Sequence, residues 1–163
     1  MSTDIERGGF GQVMFGITRL SIGFIFAWAF LDKLFGLGRS TPNAKSWING
    51  GSPTKGYLSN LKGTFADTFN DIAGKGWADW LFMIGLAGIG FALLLGIGMY
   101  VCAVAGSILL VLMWLTALPL STNPFMDEHL IYAFVIVAIA ATGAGLRYSL
   151  APWWRRFAPR WMW

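Results

Sequence analysis

Six ionisable residues stand at the ends of apolar segments in this chain: Asp32, Lys33, Asp79, Asp127, Glu128 and His129. Carboxylates beside a histidine can exchange protons or bind a cation, because imidazole changes its charge near neutral pH. If the apolar segments are membrane-spanning helices, these ends meet on one face of a bundle. We therefore predict a cluster on that face, and five of its members are candidate catalytic residues: Asp32, Lys33, Asp127, Glu128 and His129.

Aromatic residues near these helix ends could form the walls of a cofactor site. A quinone head group needs a hydrogen-bond donor or two beside aromatic side chains, and His129 could be such a donor. The walls would be Trp28, Trp80 and Tyr132. Because histidine titrates near neutral pH, it also suits proton uptake coupled to quinone chemistry. These residue types therefore favour quinone as a cofactor.

Helix capping and interfacial anchoring explain the same residues without any chemistry. Asp79, Asp127 and Glu128 would each lie in a first turn, where the helix dipole favours an acid. Lys33 would lie in a last turn, where the dipole favours a base. An acid is disfavoured there, so we expect Asp32 to pair with Lys33 or with a group on another helix. A metal ion at the histidine would need several carboxylates in range, and we assign none.

Arg19 is a further candidate, because it interrupts the apolar run of residues 14–36. It lies ~7 Å from the middle of that run at about 1.5 Å of rise per residue, where an arginine is costly unless it faces a partner or water. Its partners could be the hydroxyls of Ser107 and Thr142 or the backbone around Gly143 and Gly145. Alternatively, its long side chain reaches a lipid phosphate. We keep Arg19 as a candidate cofactor-binding residue.

The elements that must position these residues are long apolar segments. The chain has 163 residues, of which 56% are hydrophobic and 12% charged, a composition typical of a membrane protein. We predict an all-α integral membrane protein, a single domain over residues 1–163 that forms a four-transmembrane-helix bundle. In its second span, Gly88, Ala92 and Gly96 predict a close helix contact. The predicted spans cover residues 12–35, 77–97, 100–118 and 127–150.

A long polar loop between the first two helices, residues 38–75, is predicted to cap one end of the bundle. Its turn signals include the stretch from Asn49 to Pro53. Apolar residues recur at a spacing of three to four between Leu58 and Phe69, which predicts an interfacial helix over residues 56–72.

Composition and cysteine count exclude several classes of protein. The net charge is +4, but no solvent-exposed basic patch with base-reading groups is evident, so we expect no nucleic-acid partner. Cys102 is the only cysteine, which excludes an intrachain disulfide, a CxxC redox pair and a cysteine-based metal cluster. No haem, iron–sulfur or dinucleotide motif is present. Electrons that pass through this protein would therefore be carried by quinone or by a partner subunit.

The orientation in the membrane is predicted from arginines in the C-terminal tail. Four spans place both termini on one side of the bilayer. Arg155, Arg156 and Arg160 form a compact cluster close to a span and free of acids, whereas the basic residues of the long loop are dispersed. The positive-inside rule then places both termini in the cytoplasm.

Several motifs along the chain resemble the DoxX family of small four-helix membrane proteins, which includes the DoxD-like subunit of thiosulfate:quinone oxidoreductase. The likeness lies in Arg19-Leu20 and LDKLFG of the first span, WINGGSPTKGYL of the loop, WADWLFMIGLAGIG of the second span and TNPFMDEHLIYA before the fourth. It covers about residues 19–145. The resemblance implies a quinone-linked role in the prokaryotic cytoplasmic membrane, together with a second subunit. The residues carried over are Arg19, Asp32, Lys33, Asp127, Glu128 and His129.

Two functions remain open at this point. In the first, the protein is an oxidoreductase subunit that oxidises a small sulfur compound such as thiosulfate and passes electrons to quinone. A site rich in carboxylates binds anions poorly, which counts against thiosulfate itself. In the second, it is a non-catalytic accessory or assembly subunit of a larger respiratory complex, or a homo-oligomer, and its charges serve only anchoring and pairing among membrane lipids. Transport is a weaker third reading, because four short spans leave little room for a pathway.

Overall fold

The computed structural model describes residues 9–121, 123–146 and 148–162. Within these ranges the chain is helical and contains no strand. The predicted single domain also includes residues 1–8, 122, 147 and 163, which lie outside the described residues. The α-helices are α1 (Phe10–Phe35), α2 (Lys55–Leu58), α3 (Ala66–Asn70), α4 (Gly76–Leu95), α5 (Met99–Ala117), α6 (Glu128–Thr142) and α7 (Ala151–Trp154), and 3₁₀ turns cover Asn43–Lys45, Trp47–Asn49 and Arg160–Met162.

Three of the helices are long and apolar enough to cross a membrane: α1, α4 and α5. Helix α6 is also apolar but has only 15 residues. It ends at Thr142, not at residue 150 as predicted, because Gly143 adopts the left-handed conformation at φ 63° and turns the chain. The protein is therefore a helical, multi-pass membrane-associated protein with three evident candidate spans.

The bundle is built from two antiparallel helix pairs. Helix α1 packs along α4, α5 packs along α6, and α4 joins the two pairs through its contact with α5. The shared core contains fully buried aliphatic side chains such as Leu93 and Ile136. Outward-facing positions are apolar as well, for example Leu81 and Val104, each 64% exposed. Helices that are apolar all round suit a hydrocarbon environment.

Two glycines allow α1 and α4 to approach closely. A Cβ atom on Gly90 of α4 would lie 2.6 Å from the backbone nitrogen of Ala27, and one on Gly23 of α1 would lie 2.9 Å from Cβ of Leu93. Gly88, part of the predicted small-residue ladder, would contact nothing within 4 Å. The close contact is therefore made by Gly90 and not by Gly88, because Gly88 lies on the outward face of α4.

The segment between α1 and α4 touches the end of α5. The backbone N–H of Thr64 donates to the carbonyl of Leu118 at 3.0 Å, and the hydroxyls of Tyr57 and Thr116 lie 2.8 Å apart. The single helix predicted over residues 56–72 is wrong, since only the short α2 and α3 form there. Gly63 lies in the irregular stretch between α2 and α3. A Cβ at this position would clash with the carbonyl oxygen of Leu118, so the absence of a side chain allows the backbone to pack against the end of α5.

Candidate functional site

Arg19 is fully buried and hydrogen-bonded to main-chain carbonyls. Its Nε donates to Gly145 at 3.3 Å, Nη2 to Tyr148 at 3.0 Å, and Nη1 to Leu94 at 3.0 Å and also to Leu93. The carbonyls of Leu93 and Leu94 belong to the last turn of α4, where no intrahelical donor reaches them. The guanidinium therefore caps the C-terminal end of α4, and the carbonyl oxygens stabilise its charge inside the bundle.

This arrangement decides between the predicted partners of Arg19. The backbone at Gly145 is one of them, as expected, whereas the lipid phosphate reached by snorkelling is wrong because the side chain is enclosed. The predicted hydroxyl of Thr142 bonds instead to the carbonyl of Ala138 at 2.6 Å. A role of Arg19 in binding a cofactor stays a prediction.

Asp32 is fully buried at the end of α1 and binds the loop that follows it. Its carboxylate accepts hydrogen bonds from the N–H groups of Arg39 at 3.2 Å and Ser40 at 3.0 Å, and from the Ser40 hydroxyl at 2.7 Å. The expected pairing with Lys33 or another helix is wrong. Gly36 turns the chain in the left-handed conformation at φ 66°, which returns these donors to the carboxylate.

Lys33 faces α4 instead of its neighbour Asp32. Its Nζ lies 6.0 Å from the ring centroid of Phe82, a distance at which a cation is attracted by the face of an aromatic ring. The ammonium group is therefore placed beside an aromatic side chain at the loop-facing end of the bundle, and a catalytic role for Lys33 stays a prediction.

Asp79, in the first turn of α4, also binds a loop segment. Its Oδ1 accepts from the hydroxyl of Ser52 at 2.8 Å and from the N–H and hydroxyl of Thr54 at 3.0 and 2.6 Å. The Thr54 hydroxyl in turn accepts from the N–H of Gly74 at 3.1 Å. Sequence analysis missed Ser40, Ser52 and Thr54. Their position beside turn-forming residues is a signal that could have identified them, because such hydroxyls commonly bond to carboxylates and loop backbone.

Asp127 and His129 form a pair at the start of α6. Oδ1 of Asp127 accepts from the N–H groups of His129 at 3.0 Å and Leu130 at 3.2 Å, so Asp127 is the N-cap. Its Oδ2 lies 2.7 Å from Nδ1 of His129. The side chains are 18% exposed for His129 and 10% for Asp127. The carboxylate therefore fixes the imidazole through Nδ1 and leaves Nε2 for a second partner.

Glu128 is exposed beside this pair. One ligand atom from each of Asp127, Glu128 and His129 lies within 4.8 Å of the others. Of the predicted six-residue cluster, the structure brings these three together. Asp32 and Asp79 each bind their own loop segment and share no hydrogen-bond partner with them.

A cleft of about 410 Å³ opens beside the Asp127–His129 pair. Its other walls come from the connection between α5 and α6, including Pro119, Leu120 and Met126. The cleft combines these apolar side chains with the carboxylates of Asp127 and Glu128 and the imidazole of His129. An imidazole held by a carboxylate can donate a proton to a small ligand or accept one from it.

The predicted aromatic walls lie elsewhere. Trp28 stacks on Phe24 at 6.0 Å between ring centroids, and Trp80 makes an edge contact with Trp47 at 4.6 Å. Tyr132 is half-buried against the core. None of these three rings lines the cleft beside His129. The structure therefore does not bring Trp28, Trp80 and Tyr132 together with His129 in one site.

Comparisons with known proteins gave no match: no family model fits the sequence, and neither a curated protein nor a solved structure is similar to it. The resemblance to the DoxX family therefore stays a prediction from the motifs in the sequence.

Proposed function

We propose that this chain is a DoxX-like membrane subunit with a quinone-linked redox role, in which His129 exchanges protons with the quinone. The observation that supports this role is the 2.7 Å contact between Nδ1 of His129 and Oδ2 of Asp127 beside an open cleft. A quinone takes up protons when it is reduced, and a carboxylate beside an imidazole stabilises the imidazolium that carries such a proton.

Electrons would come from a small sulfur compound oxidised at a second subunit. Quinone would then receive them at the cleft, while Asp127 holds the imidazole of His129 in one orientation. The chain's own part in this scheme is to position the head group and to move the proton. Thiosulfate is the proposed sulfur compound. Because the exposed carboxylate of Glu128 beside the cleft would repel this anion, we propose that thiosulfate binds to the partner subunit.

The proposed topology has four spans in the prokaryotic cytoplasmic membrane, with both termini in the cytoplasm. Helix α6 is about 22 Å long at ~1.5 Å per residue, shorter than the ~30 Å hydrocarbon core. Its antiparallel packing along α5 supports a crossing, which a locally thinner bilayer accommodates. The arginines of the tail support the cytoplasmic placement.

Native mass spectrometry of the detergent-solubilised protein tests the quinone role. We expect a quinone bound in stoichiometric amount to the wild type and a strong reduction of that signal in His129→Ala. The matched control is Asp67→Ala, which removes an exposed charge from α3. Equal quinone occupancy in wild type and His129→Ala would overturn the role given to His129.

A second candidate function is a non-catalytic accessory subunit of a respiratory complex. This function is favoured by Arg19, Asp32 and Asp79, whose side chains are hydrogen-bonded to the backbone of this chain. These charges therefore stabilise the fold and need no catalytic role to explain them. The same mass spectra separate the two functions, because an accessory subunit would carry a stable protein partner and no quinone.

A further inference from the structure

A second cleft, also of about 410 Å³, opens at the opposite end of the bundle from His129. It lies between the end of α6 and the C-terminal tail. Its walls include Leu146, the aromatic ring of Tyr100 at the start of α5, and two arginines of the tail, Arg155 and Arg160. The cleft therefore joins an apolar surface to two guanidinium groups.

The tail is folded onto the bundle, which fixes the position of these arginines. The N–H of Leu150 donates to the carbonyl of Leu95 at the end of α4 at 2.8 Å, and Ala151 is buried. Further along, the 3₁₀ turn Arg160–Met162 contacts α5. Both sides of the cleft are thus held by packed segments of the chain.

Among the residues that the structure describes, the charged residues lining this cleft are both arginines, Arg155 and Arg160. Arg155, Arg156 and Arg160 are exposed, and the sequence between Gly143 and Met162 contains no acidic residue. Guanidinium groups bind phosphate oxygens with paired hydrogen bonds, and are better suited to this than a point charge. An anion with several oxygen acceptors is the ligand that complements this site.

Aromatic side chains of the tail indicate the depth of the cleft in the membrane. Trp153, Phe157 and Trp161 are all exposed and recur at every fourth position, and the rings of Trp153 and Phe157 lie 5.3 Å apart. Exposed tryptophan mixed with arginine is typical of the headgroup region. This composition favours a position of the neighbouring arginines at the level of lipid phosphates.

We propose that this cleft binds the head group of an anionic phosphoglyceride, with its phosphate at Arg155 and Arg160 and an acyl chain along Leu146 and the neighbouring surface of α5 and α6. The hydroxyl of Tyr100 is a further donor to the head group. This proposal is independent of the redox role, because the two clefts lie at opposite ends of the bundle.

Native mass spectrometry with added lipid tests this proposal on the full-length protein. The probes are phosphatidylglycerol, phosphatidylcholine and inorganic phosphate, titrated separately into delipidated protein. We expect one saturable phosphatidylglycerol site with at least tenfold tighter binding than phosphatidylcholine, and at least tenfold weaker binding in Arg160→Gln. Arg39→Gln is the control, because it removes the same charge from an exposed residue at the other end of the bundle.

Each remaining outcome has a definite meaning. Equal affinity for the two lipids, or an unchanged phosphatidylglycerol site in Arg160→Gln, overturns the proposal. Displacement of phosphatidylglycerol by millimolar inorganic phosphate overturns the assignment to a lipid and indicates a free anion. Arg160→Lys, which keeps the charge but loses the paired hydrogen bonds, should retain part of the affinity. Tryptophan fluorescence of each variant without lipid shows whether it is folded.

Discussion

Nη1 of Arg19 in α1 donates a 3.0 Å hydrogen bond to the main-chain carbonyl of Leu94 in the last turn of α4. The same guanidinium reaches the carbonyls of Gly145 and Tyr148 after α6. One side chain therefore holds together three parts of the chain that are distant in sequence. An arginine is suited to this because its N–H groups diverge in a fixed plane and can reach several carbonyls at once.

Replacing Arg19 by methionine should lower the free energy of unfolding by about 3 kcal/mol, because buried carbonyls lose a charged donor. Arg19→Lys should recover only part of this loss, since one ammonium group cannot reach every carbonyl. The measurement is chemical unfolding in mixed micelles. Arg39→Met, at an exposed position, should change the value by less than about 0.5 kcal/mol. Equal effects of the two methionine variants would contradict the capping role of Arg19.

Gly90→Ala should destabilise the protein by about 2 kcal/mol, because its new methyl group would meet the backbone of Ala27 in α1. Gly88→Ala lies two residues away on the same helix and meets nothing within 4 Å, so it should be neutral or slightly stabilising. Thermal unfolding of the two variants in the same detergent compares them directly. A neutral Gly90→Ala would show that α1 and α4 are not in close contact there.

Asp32→Ala should loosen the turn after α1, because the N–H groups of Arg39 and Ser40 lose their acceptor. We expect hydrogen exchange at these two amides to accelerate about tenfold or more, equivalent to ~1.4 kcal/mol. Asp67→Ala, which removes an exposed carboxylate from α3, should leave both amides unchanged. Unaltered exchange at Arg39 and Ser40 in Asp32→Ala would show that the carboxylate does not order this turn.

Asp79 and Thr54 should be energetically coupled, because the carboxylate binds both the N–H and the hydroxyl of that threonine. Asp79→Ala and Thr54→Val should each destabilise the protein, and the double variant should lose about 1 kcal/mol less than the sum of the two. A double-mutant cycle of unfolding free energies measures this difference. Strict additivity would mean that the loop is not held through this contact.

The sequence was sufficient to predict the helices that are long and apolar. Runs of about 20 apolar residues mark α1, α4 and α5 without any knowledge of their neighbours. Helix α6 was predicted too long, because the apolar composition continues beyond Thr142 while the turn at Gly143 depends on how the chain packs.

The site was less predictable, because hydrogen-bond partners depend on loop geometry. Acids at the start of α6 follow from local sequence, and the structure has Glu128 in the first turn and Asp127 one position earlier, as the N-cap. The hydrogen-bond partners of Asp32 and Asp79 cannot be predicted from local sequence, because Ser40 and Thr54 reach these carboxylates only after the loop has folded back. Charged residues at helix ends therefore indicated one shared cluster, whereas Asp32, Asp79 and Asp127 are each hydrogen-bonded within their own segment.

The most direct test of the proposed function uses the fact that His129 is the only histidine in the chain. Protein labelled with ¹⁵N-histidine and placed in lipid nanodiscs gives imidazole signals from this residue alone. Titration with a short-chain quinone should shift the ring nitrogen signals in a saturable way, while an alkane of the same length should not. An unchanged histidine spectrum at a quinone concentration that saturates the membrane would contradict the account.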